Sequence, residues 1–171
     1  MIDLKSKIRD VPDFPKPGIL FKDITPLLGD VKAFQQVIDT LAKRYATRQI
    51  DYCVGIESRG FIFASALAYR IDAGFVPVRK KGKLPYTTRS VEYDLEYGTD
   101  KIEMHVDGVH PKSRVLVVDD LLATGGTAKA TCELIEKSAG TVVECAFVVE
   151  LEFLKGRDKL KGREVFSLIQ Y

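Results

Sequence analysis

An uninterrupted apolar run, RVLVV at residues 114–118, constrains the fold of this chain more than any other feature. A strand that is apolar at every position is buried on both faces, which is typical of the middle of a parallel sheet. Two aspartates and a glycine-containing loop follow it in VLVVDDLLATGGTA (115–128), and a helical pattern begins there. A buried strand that leads into a helix in this way predicts an α/β fold.

The same order of strands and helices recurs along the chain, and one hairpin interrupts it. Residues 91–97 alternate between apolar and acidic side chains, a turn follows at 98–100, and residues 102–106 alternate again. This pattern predicts a β-hairpin. The sequence therefore predicts a central, mostly parallel, twisted sheet flanked by helices, with an inserted hairpin. Predicted strands cover 52–56, 75–79, 114–118, 141–151 and 163–171, and predicted helices cover 31–45, 60–71 and 127–139. Asp30 is the predicted N-cap of the first of these helices.

A proline-rich segment precedes the first long helix. Residues 11–26 contain Pro12, Pro15, Pro17 and Pro26, and proline fixes φ and removes a backbone donor. We therefore predict an extended arm here, not a helix.

Composition excludes several classes of protein. The formal charge of +2, from 26 basic and 24 acidic residues, lacks the strong positive excess of most nucleic-acid-binding domains. The longest apolar stretch, residues 61–69, is far shorter than the ~20 residues of a membrane span, and the N-terminal residues lack the apolar core of a signal peptide. Three cysteines without CxxC spacing are typical of buried, reduced thiols. We expect a cytoplasmic protein that binds neither nucleic acid nor membranes.

Two predicted strands end in polar segments that could form a binding site. ESRG (57–60) follows one strand and DDLLATGGTA (119–128) follows another, and ligands of open α/β sheets bind at these carboxyl ends. Backbone N–H groups of loop 123–127 and the following helix N-terminus predict a phosphate cradle, although neither GxxxxGK[ST] nor GxGxxG is present. Carboxylates beside such a cradle suit a ligand's hydroxyl groups or a metal ion, which indicates a sugar phosphate. The alternative, in which Asp119 and Asp120 are a solvated strand end and Gly125-Gly126 an ordinary turn, stays open at this point.

The segment VLVVDDLLATGGTA resembles the phosphoribosyl-pyrophosphate signature of the type I phosphoribosyltransferases. The resemblance implies a purine salvage enzyme that joins adenine to phosphoribosyl pyrophosphate, giving AMP and pyrophosphate, with Mg²⁺ and as a homodimer. It also implies one domain over residues 1–171, with a base-binding arm or hood at 1–30 and a flexible lid and hairpin at 80–106. Five further stretches resemble the adenine-specific members of this family: FPKPGILFKDITPLL (14–28), GIESRGFIF (55–63), VPVRKKGKLP (76–85), LEYG (95–98) and VVELEFLKGRDKL (148–160).

The resemblance implies a role for each candidate site residue. Asp119 and Asp120 would hold the ribose hydroxyls and would contact Mg²⁺ at most through water, so that no side chain binds the metal directly. Arg59 and Glu96 would be the catalytic residues, with Glu96 as acid or base beside Tyr97 on the lid. The other implied assignments are Ala123, Thr124, Gly125, Gly126 and Thr127 at the 5-phosphate, Glu57, Ser58, Arg59, Arg79 and Lys83 at the pyrophosphate, and Leu20, Phe21, Lys22 and Leu151 at adenine.

The chemistry of this reaction agrees with the local supply of cations. Displacement of pyrophosphate from C1 leaves negative charge on the leaving group, so positive side chains must lie beside it. The candidate cations are Arg59, Arg79, Lys80, Lys81 and Lys83.

The chain departs from the family at Lys22, where many relatives have arginine. The change is harmless if this residue contacts the base through its backbone N–H. It is not harmless if the family uses the guanidinium to contact the base.

Two alternatives share the predicted fold. One is a phosphoribosyltransferase for a 6-oxopurine or orotate, but the 6-oxopurine enzymes generally carry an acidic residue where this chain has Ala123. The other is a regulator that senses phosphoribosyl pyrophosphate and binds nucleic acid. The near-neutral charge and the lack of an appended DNA-binding segment weigh against it.

Overall fold

The computed structural model describes residues 2–94 and 98–171. Its strands are β1 (Arg9–Pro12), β2 (Leu20–Asp23), β3 (Tyr52–Ile56), β4 (Gly74–Lys80), β5 (Thr88–Asp94), β6 (Thr99–His105), β7 (Arg114–Leu122), β8 (Thr141–Glu150) and β9 (Val165–Gln170). Its helices are α1 (Thr25–Gly29), α2 (Val31–Tyr45), α3 (Gly60–Arg70) and α4 (Gly126–Lys137), with 3₁₀ segments at Leu4–Lys7, Glu152–Leu154 and Gly156–Leu160.

Within the described residues, seven strands form one sheet in the order β5-β6-β4-β3-β7-β8-β9. Strands β4, β3, β7, β8 and β9 are parallel to one another, whereas β6 pairs antiparallel with both β4 and β5. The predicted mostly parallel α/β sheet with an inserted hairpin is confirmed.

The connections on either side of the β3–β7 pair leave in opposite directions. Helix α3 leads from β3 to β4, and α4 leads from β7 to β8 on the other side. Such a switch point opens a crevice at the carboxyl ends of the two strands. The segments 57–59 and 123–125 both lie at this crevice because they directly follow β3 and β7.

Both faces of the sheet are buried. Leu116 and Val118 of β7 pack into a core with α2 and α3, while Val115 and Val117 pack into a second core with α4. The uninterrupted apolar run of β7 is thus explained by helices on both sides. Asp30 begins α2 as predicted, since its carboxylate accepts hydrogen bonds from the N–H groups of Lys32 and Ala33.

The structure differs from two sequence predictions. Segment 11–26 is not a plain extended arm: β1 and β2 pair antiparallel as a separate two-stranded sheet, with Pro15 and Pro17 in the turn between them, and helix α1 begins at Thr25. Strand β7 also continues past residue 118 to Leu122, since it stays paired with β8 as far as Leu122 and Glu150. Asp119 and Asp120 therefore lie in the last part of the strand and not beyond its end.

The hairpin strands are integral to the sheet. Val91, Ile102 and Met104 are buried, and Arg89 donates hydrogen bonds to the Lys137 carbonyl and the Ser138 hydroxyl at the end of α4. No helix among the described residues is long and apolar enough to cross a membrane.

Candidate active site

The crevice between β3 and β7 brings the predicted phosphate loop and the ESRG loop together. A cavity of about 320 Å³ is lined by Ile56–Arg59, by Asp119–Leu121 and by Thr127. A smaller adjoining cleft is lined by Asp119 and by residues 121–128. Two segments separated by some 60 residues therefore form one site.

The phosphate loop has the backbone form that its glycines predict. Gly125 has φ +79°, a left-handed conformation that residues with a Cβ rarely adopt, and α4 begins directly after it. No side chain caps the first turn of α4, so its N–H groups are available to an anion. Thr127 lies in this first turn and lines the cavity. The arrangement suits a phosphate group.

The two aspartates have different environments. Asp120 is buried, and its Oδ2 accepts a hydrogen bond of 2.6 Å from Nε of Arg59. Burial, followed by the neighbouring charge of Asp120, raises the pKa of Asp119 well above its ordinary value. Asp120 is therefore the carboxyl held by a cation, and Asp119 accepts a hydrogen bond from the N–H of Asp120. The pair does not resemble a solvated strand end.

Arg59 of the ESRG loop lies close to both Asp120 and Phe21. Besides its ion pair with Asp120, its guanidinium carbon lies 5.4 Å from the centre of the Phe21 ring on β2. The Glu57–Ser58 peptide bond that precedes it is cis. Because the side chain of Arg59 is 42% exposed, its guanidinium is open to a ligand in the crevice.

Glu57 gathers the cations of the neighbouring strand and loop. Its carboxylate lies 2.7 Å from Nζ of Lys83 and 3.3 Å from Nη2 of Arg79, and accepts a hydrogen bond from the N–H of Lys80. Burial alone raises the pKa of Glu57, but hydrogen bonds from Lys83, Lys80 and Arg79 outweigh it and bring the pKa to about 2. An anionic Glu57 therefore holds these cations in place beside the crevice.

We expect the substitution Glu57→Gln to reduce the acid sensitivity of folding. The folded-state pKa of about 2 lies below the ordinary 4.5, so the carboxylate contributes stability that is complete above about pH 4.5 and is lost as the pH falls towards 2. Glutamine does not titrate, so the variant should be less stable at neutral pH and should lose less stability over that interval. Urea unfolding at several pH values measures this.

The control is Glu92→Gln, because Glu92 is 59% exposed and lies 3.7 Å from its partner Lys101. The free energy of unfolding of this variant should have the same pH dependence as that of the unaltered protein. If Glu57→Gln also had that pH dependence, the ion-pair cluster around Glu57 would contribute nothing to stability.

The predicted base-binding residues are only partly brought together. Phe21 faces Arg59, whereas the side chain of Lys22 turns to the other side of β2, with its ammonium 3.8 Å from the ring centre of Tyr171 and 2.6 Å from Asp10. Leu20 is 47% exposed, and Leu151 is buried in the core, where its N–H donates to the Leu122 carbonyl. The Lys22 side chain thus packs against Tyr171 and pairs with Asp10 and does not line the crevice beside Arg59.

Tyr93 was not among the predicted site residues, yet it borders the crevice. Its hydroxyl donates a hydrogen bond of 3.3 Å to Asp100, which also pairs with Lys80. Tyr93 and Thr127 line the same cleft, together with Glu57 and Arg79. The alternation of 91–97 places Tyr93 on the inner face, but no local signal shows that this face meets the phosphate loop. Glu96 and Tyr97 lie outside the described residues.

Among the described residues, no three His, Cys, Asp or Glu side chains lie close enough together to hold a metal ion. The carboxylates of Asp119 and Asp120 are oxygen donors of the kind that Mg²⁺ prefers. Asp120 is already bound to Arg59 and the pKa of Asp119 is raised. These two carboxylates are therefore the side chains in the crevice that would contact Mg²⁺ through water.

Known proteins are similar to this chain in sequence and in structure. The model of the phosphoribosyl transferase domain matches residues 28–169. The adenine phosphoribosyltransferase of Chloroflexus aurantiacus is 61% identical over 169 residues, which cover 99% of this chain and 98% of that protein.

Solved structures give the same result. The adenine phosphoribosyltransferase of Thermoanaerobacter pseudethanolicus superimposes with a TM-score of 0.96 at 54% identity, covering 99% of this chain and 98% of that one. The enzyme of Saccharomyces cerevisiae, solved with an imino-altritol bisphosphate and adenine, has a TM-score of 0.92 at 44% identity, covering 97% and 96%. The chain belongs to the phosphoribosyltransferase family and, within it, to the adenine phosphoribosyltransferases.

Proposed function

We propose that this chain transfers the 5-phosphoribosyl group from phosphoribosyl pyrophosphate to adenine, giving AMP and pyrophosphate, as a purine salvage enzyme. The observation that carries the proposal is the meeting, in one crevice, of an uncapped helix N-terminus, an aspartate pair and a cluster of cations. A ligand that fits all three has a phosphate, neighbouring hydroxyls and a second anionic group.

The phosphate loop and the aspartates bind the sugar phosphate. Residues 123–127 direct N–H groups and the Thr127 hydroxyl at the 5-phosphate, where the helix end adds about half a positive charge. Asp119 and Asp120 accept hydrogen bonds from the two ribose hydroxyls. The ribose is then held with C1 towards the ESRG loop, since Asp120 is bound to Arg59.

The cations of the crevice stabilise the leaving group. Arg59 contacts the pyrophosphate, and Arg79 and Lys83 are held ready beside it by Glu57. Positive charge placed where negative charge develops lowers the barrier, above all when water is excluded. Within the segment 80–106, the proposed lid is the loop that joins β4 to β5, because the paired hairpin strands are held in the sheet. Asp119 and Asp120 would hold a substrate-bound Mg²⁺ through water, and the ion would neutralise part of the pyrophosphate charge.

Adenine binds between the β1–β2 hairpin and the end of β8. Phe21 offers a ring beside Arg59, and Leu20, the Lys22 backbone and Leu151 complete the proposed base site. N9 of adenine attacks C1 as the bond from C1 to pyrophosphate oxygen breaks, and the N9 proton passes to a base, for which we propose Glu96. Ala123 offers no carboxylate to N7, which favours adenine over a 6-oxopurine.

The direct test is incubation with phosphoribosyl pyrophosphate, Mg²⁺ and each nucleobase in turn. We expect AMP from adenine, with hypoxanthine, guanine and orotate poorer by orders of magnitude, because a site that pairs with specific polar groups rejects analogues strongly. Preference for hypoxanthine would indicate a 6-oxopurine enzyme. A salt-dependent gel shift without turnover would indicate the nucleic-acid-binding regulator.

We expect Glu96→Gln to lower kcat at least about tenfold, because positioned acid or base groups typically contribute ~10²–10⁴-fold. The KM for phosphoribosyl pyrophosphate should change little, since glutamine keeps the size and hydrogen-bonding ability of the side chain. Glu92→Gln, on the same hairpin, is the matched control and should leave kcat unchanged. Equal kinetics in the two variants would exclude Glu96 as the acid or base.

We also propose that the enzyme is a cytoplasmic homodimer. The three cysteines are buried free thiols, which suits a reducing compartment. Ile62, Tyr69 and Phe75 are large apolar residues that α3 and β4 expose, and they support a partner surface on this side of the molecule.

A further inference from the structure

We propose that the turn 155–160, fastened to the sheet by the Arg157–Glu150 ion pair, is a positioning element that holds the phosphate loop in the shape required by the 5-phosphate. This turn consists of Lys155 and the 3₁₀ segment Gly156–Leu160. The inference rests on the proposed function, because it assigns the 5-phosphate to loop 123–127.

The turn and the phosphate loop are in direct backbone contact. A Cβ on Gly125 would collide with the carbonyl of Gly156, and a Cβ on Gly156 would collide with the carbonyl of Ala123. The same hypothetical Cβ on Gly156 would lie 2.9 Å from Cδ1 of Leu122. Because the two backbones touch without intervening side chains, a displacement of the turn moves the loop directly.

Arg157 attaches the turn to two strands at once. Its Nε and Nη2 donate hydrogen bonds of 2.7 Å to the two carboxylate oxygens of Glu150 on β8, and its Nη1 donates to the Val165 carbonyl on β9. Ser167 donates a further hydrogen bond of 2.6 Å to Glu150. A two-pronged pair of this kind fixes orientation as well as distance.

Glu150, the partner of Arg157, lies in the sheet next to the start of the phosphate loop. Glu150 is buried, and it pairs in register with Leu122, the residue immediately before the phosphate loop. The turn therefore takes its position from the same strands that position the loop. The N–H groups of the loop must lie within a few tenths of an ångström of the phosphate oxygens, so a supporting contact at its back determines affinity for the sugar phosphate.

The test is steady-state kinetics of the full-length protein with Arg157→Met and Arg157→Lys. We expect Arg157→Met to raise the KM for phosphoribosyl pyrophosphate about tenfold, because a misplaced loop loses phosphate contacts, with less than about a twofold change in the KM for adenine. Arg157→Lys should fall between, since lysine keeps the charge without the two parallel hydrogen bonds.

Arg163→Met is the matched control. Arg163 makes a similar contact with Glu136, with Nε at 3.1 Å and Nη2 at 2.8 Å, but at the other end of α4 from the phosphate loop. It should reduce thermal stability without changing either KM. Equal rises of both KM values in Arg157→Met, or the same kinetics in the Arg157 and Arg163 variants, would overturn the inference and leave the turn a purely structural element.

Two further variants keep the test decisive if Arg157→Met does not fold. The double variant Glu150→Gln with Arg157→Met leaves no buried unpaired charge, and Gly156→Ala disturbs the loop contact while keeping the ion pair. Both should raise the same KM selectively, and an unchanged value in both overturns the inference.

Calorimetric titration with ribose 5-phosphate separates the inference from the proposed function, because it requires no turnover. Weaker binding in the Arg157 variants than in Arg163→Met supports the positioning role even if the unaltered protein makes no AMP. Equal binding, in a protein that does make AMP, overturns the positioning role alone.

Discussion

Replacing Gly125 by alanine should lower kcat/KM for phosphoribosyl pyrophosphate at least about a hundredfold, because the new methyl group has no space and displaces the phosphate loop. At φ +79° an L-residue is strained, and its Cβ would collide with the Gly156 carbonyl. The loop must shift to relieve the collision, and its N–H groups then no longer converge on one phosphate. Steady-state kinetics with each substrate varied in turn measures the effect.

Gly162→Ala separates backbone strain from the collision. Gly162 has φ +85°, close to the value at Gly125, but a Cβ there would meet nothing within 4 Å. This control should lose some stability and keep its kinetics. If both alanine variants kept normal kinetics, the loop would not be the phosphate site.

Asp120→Asn should raise the KM for phosphoribosyl pyrophosphate roughly ten- to hundredfold, because loss of a charged hydrogen bond costs about 1.5–3 kcal/mol. The substitution removes a proposed ribose contact and also the charge that holds Arg59 at 2.6 Å. Asp119→Asn should cost less, since it leaves the ion pair between Asp120 and Arg59 in place, and asparagine keeps a side-chain oxygen that can accept the N–H of Asp120. The two KM values measured under identical conditions test this order.

Asp30→Asn provides the control for loss of a carboxylate elsewhere. Asp30 begins α2 and asparagine caps helices about as well, so kinetics should be unchanged. Equal losses in the Asp119 and Asp120 variants would mean that the pair acts as a unit. Normal kinetics in both would mean that the ribose is held elsewhere.

Arg59 makes the crevice act as one site. It binds Asp120 of the proposed ribose site, lies beside Phe21 of the proposed base site, and belongs to the loop proposed to contact pyrophosphate. A single guanidinium thus lies among the three groups that the reaction rearranges. This arrangement follows from the switch point between β3 and β7, where the loops after both strands open into the same space.

Local patterns were sufficient to predict most of the elements. Strand β3 coincides with the predicted 52–56, and the N-terminus of α2 was predicted at Asp30, because apolar periodicity and caps are short-range properties. The end of β7 was predicted four residues too early. Its continuation depends on pairing with β8, and pairing between distant segments cannot be predicted from the residues of the strand alone.

The sequence by itself determined the fold class, the candidate phosphate loop and the candidate residues, because apolar periodicity, glycine placement and the family motifs are all local sequence patterns. Only the tertiary structure decided how these residues are used. The Glu57 carboxylate pairs with Lys83, the Lys22 side chain lies against Tyr171, and Gly156 contacts Gly125 from a segment 31 residues further on. The reason is physical: ion pairing, side-chain direction and backbone contact depend on distances in space, which the packed sheet sets and the order of residues does not.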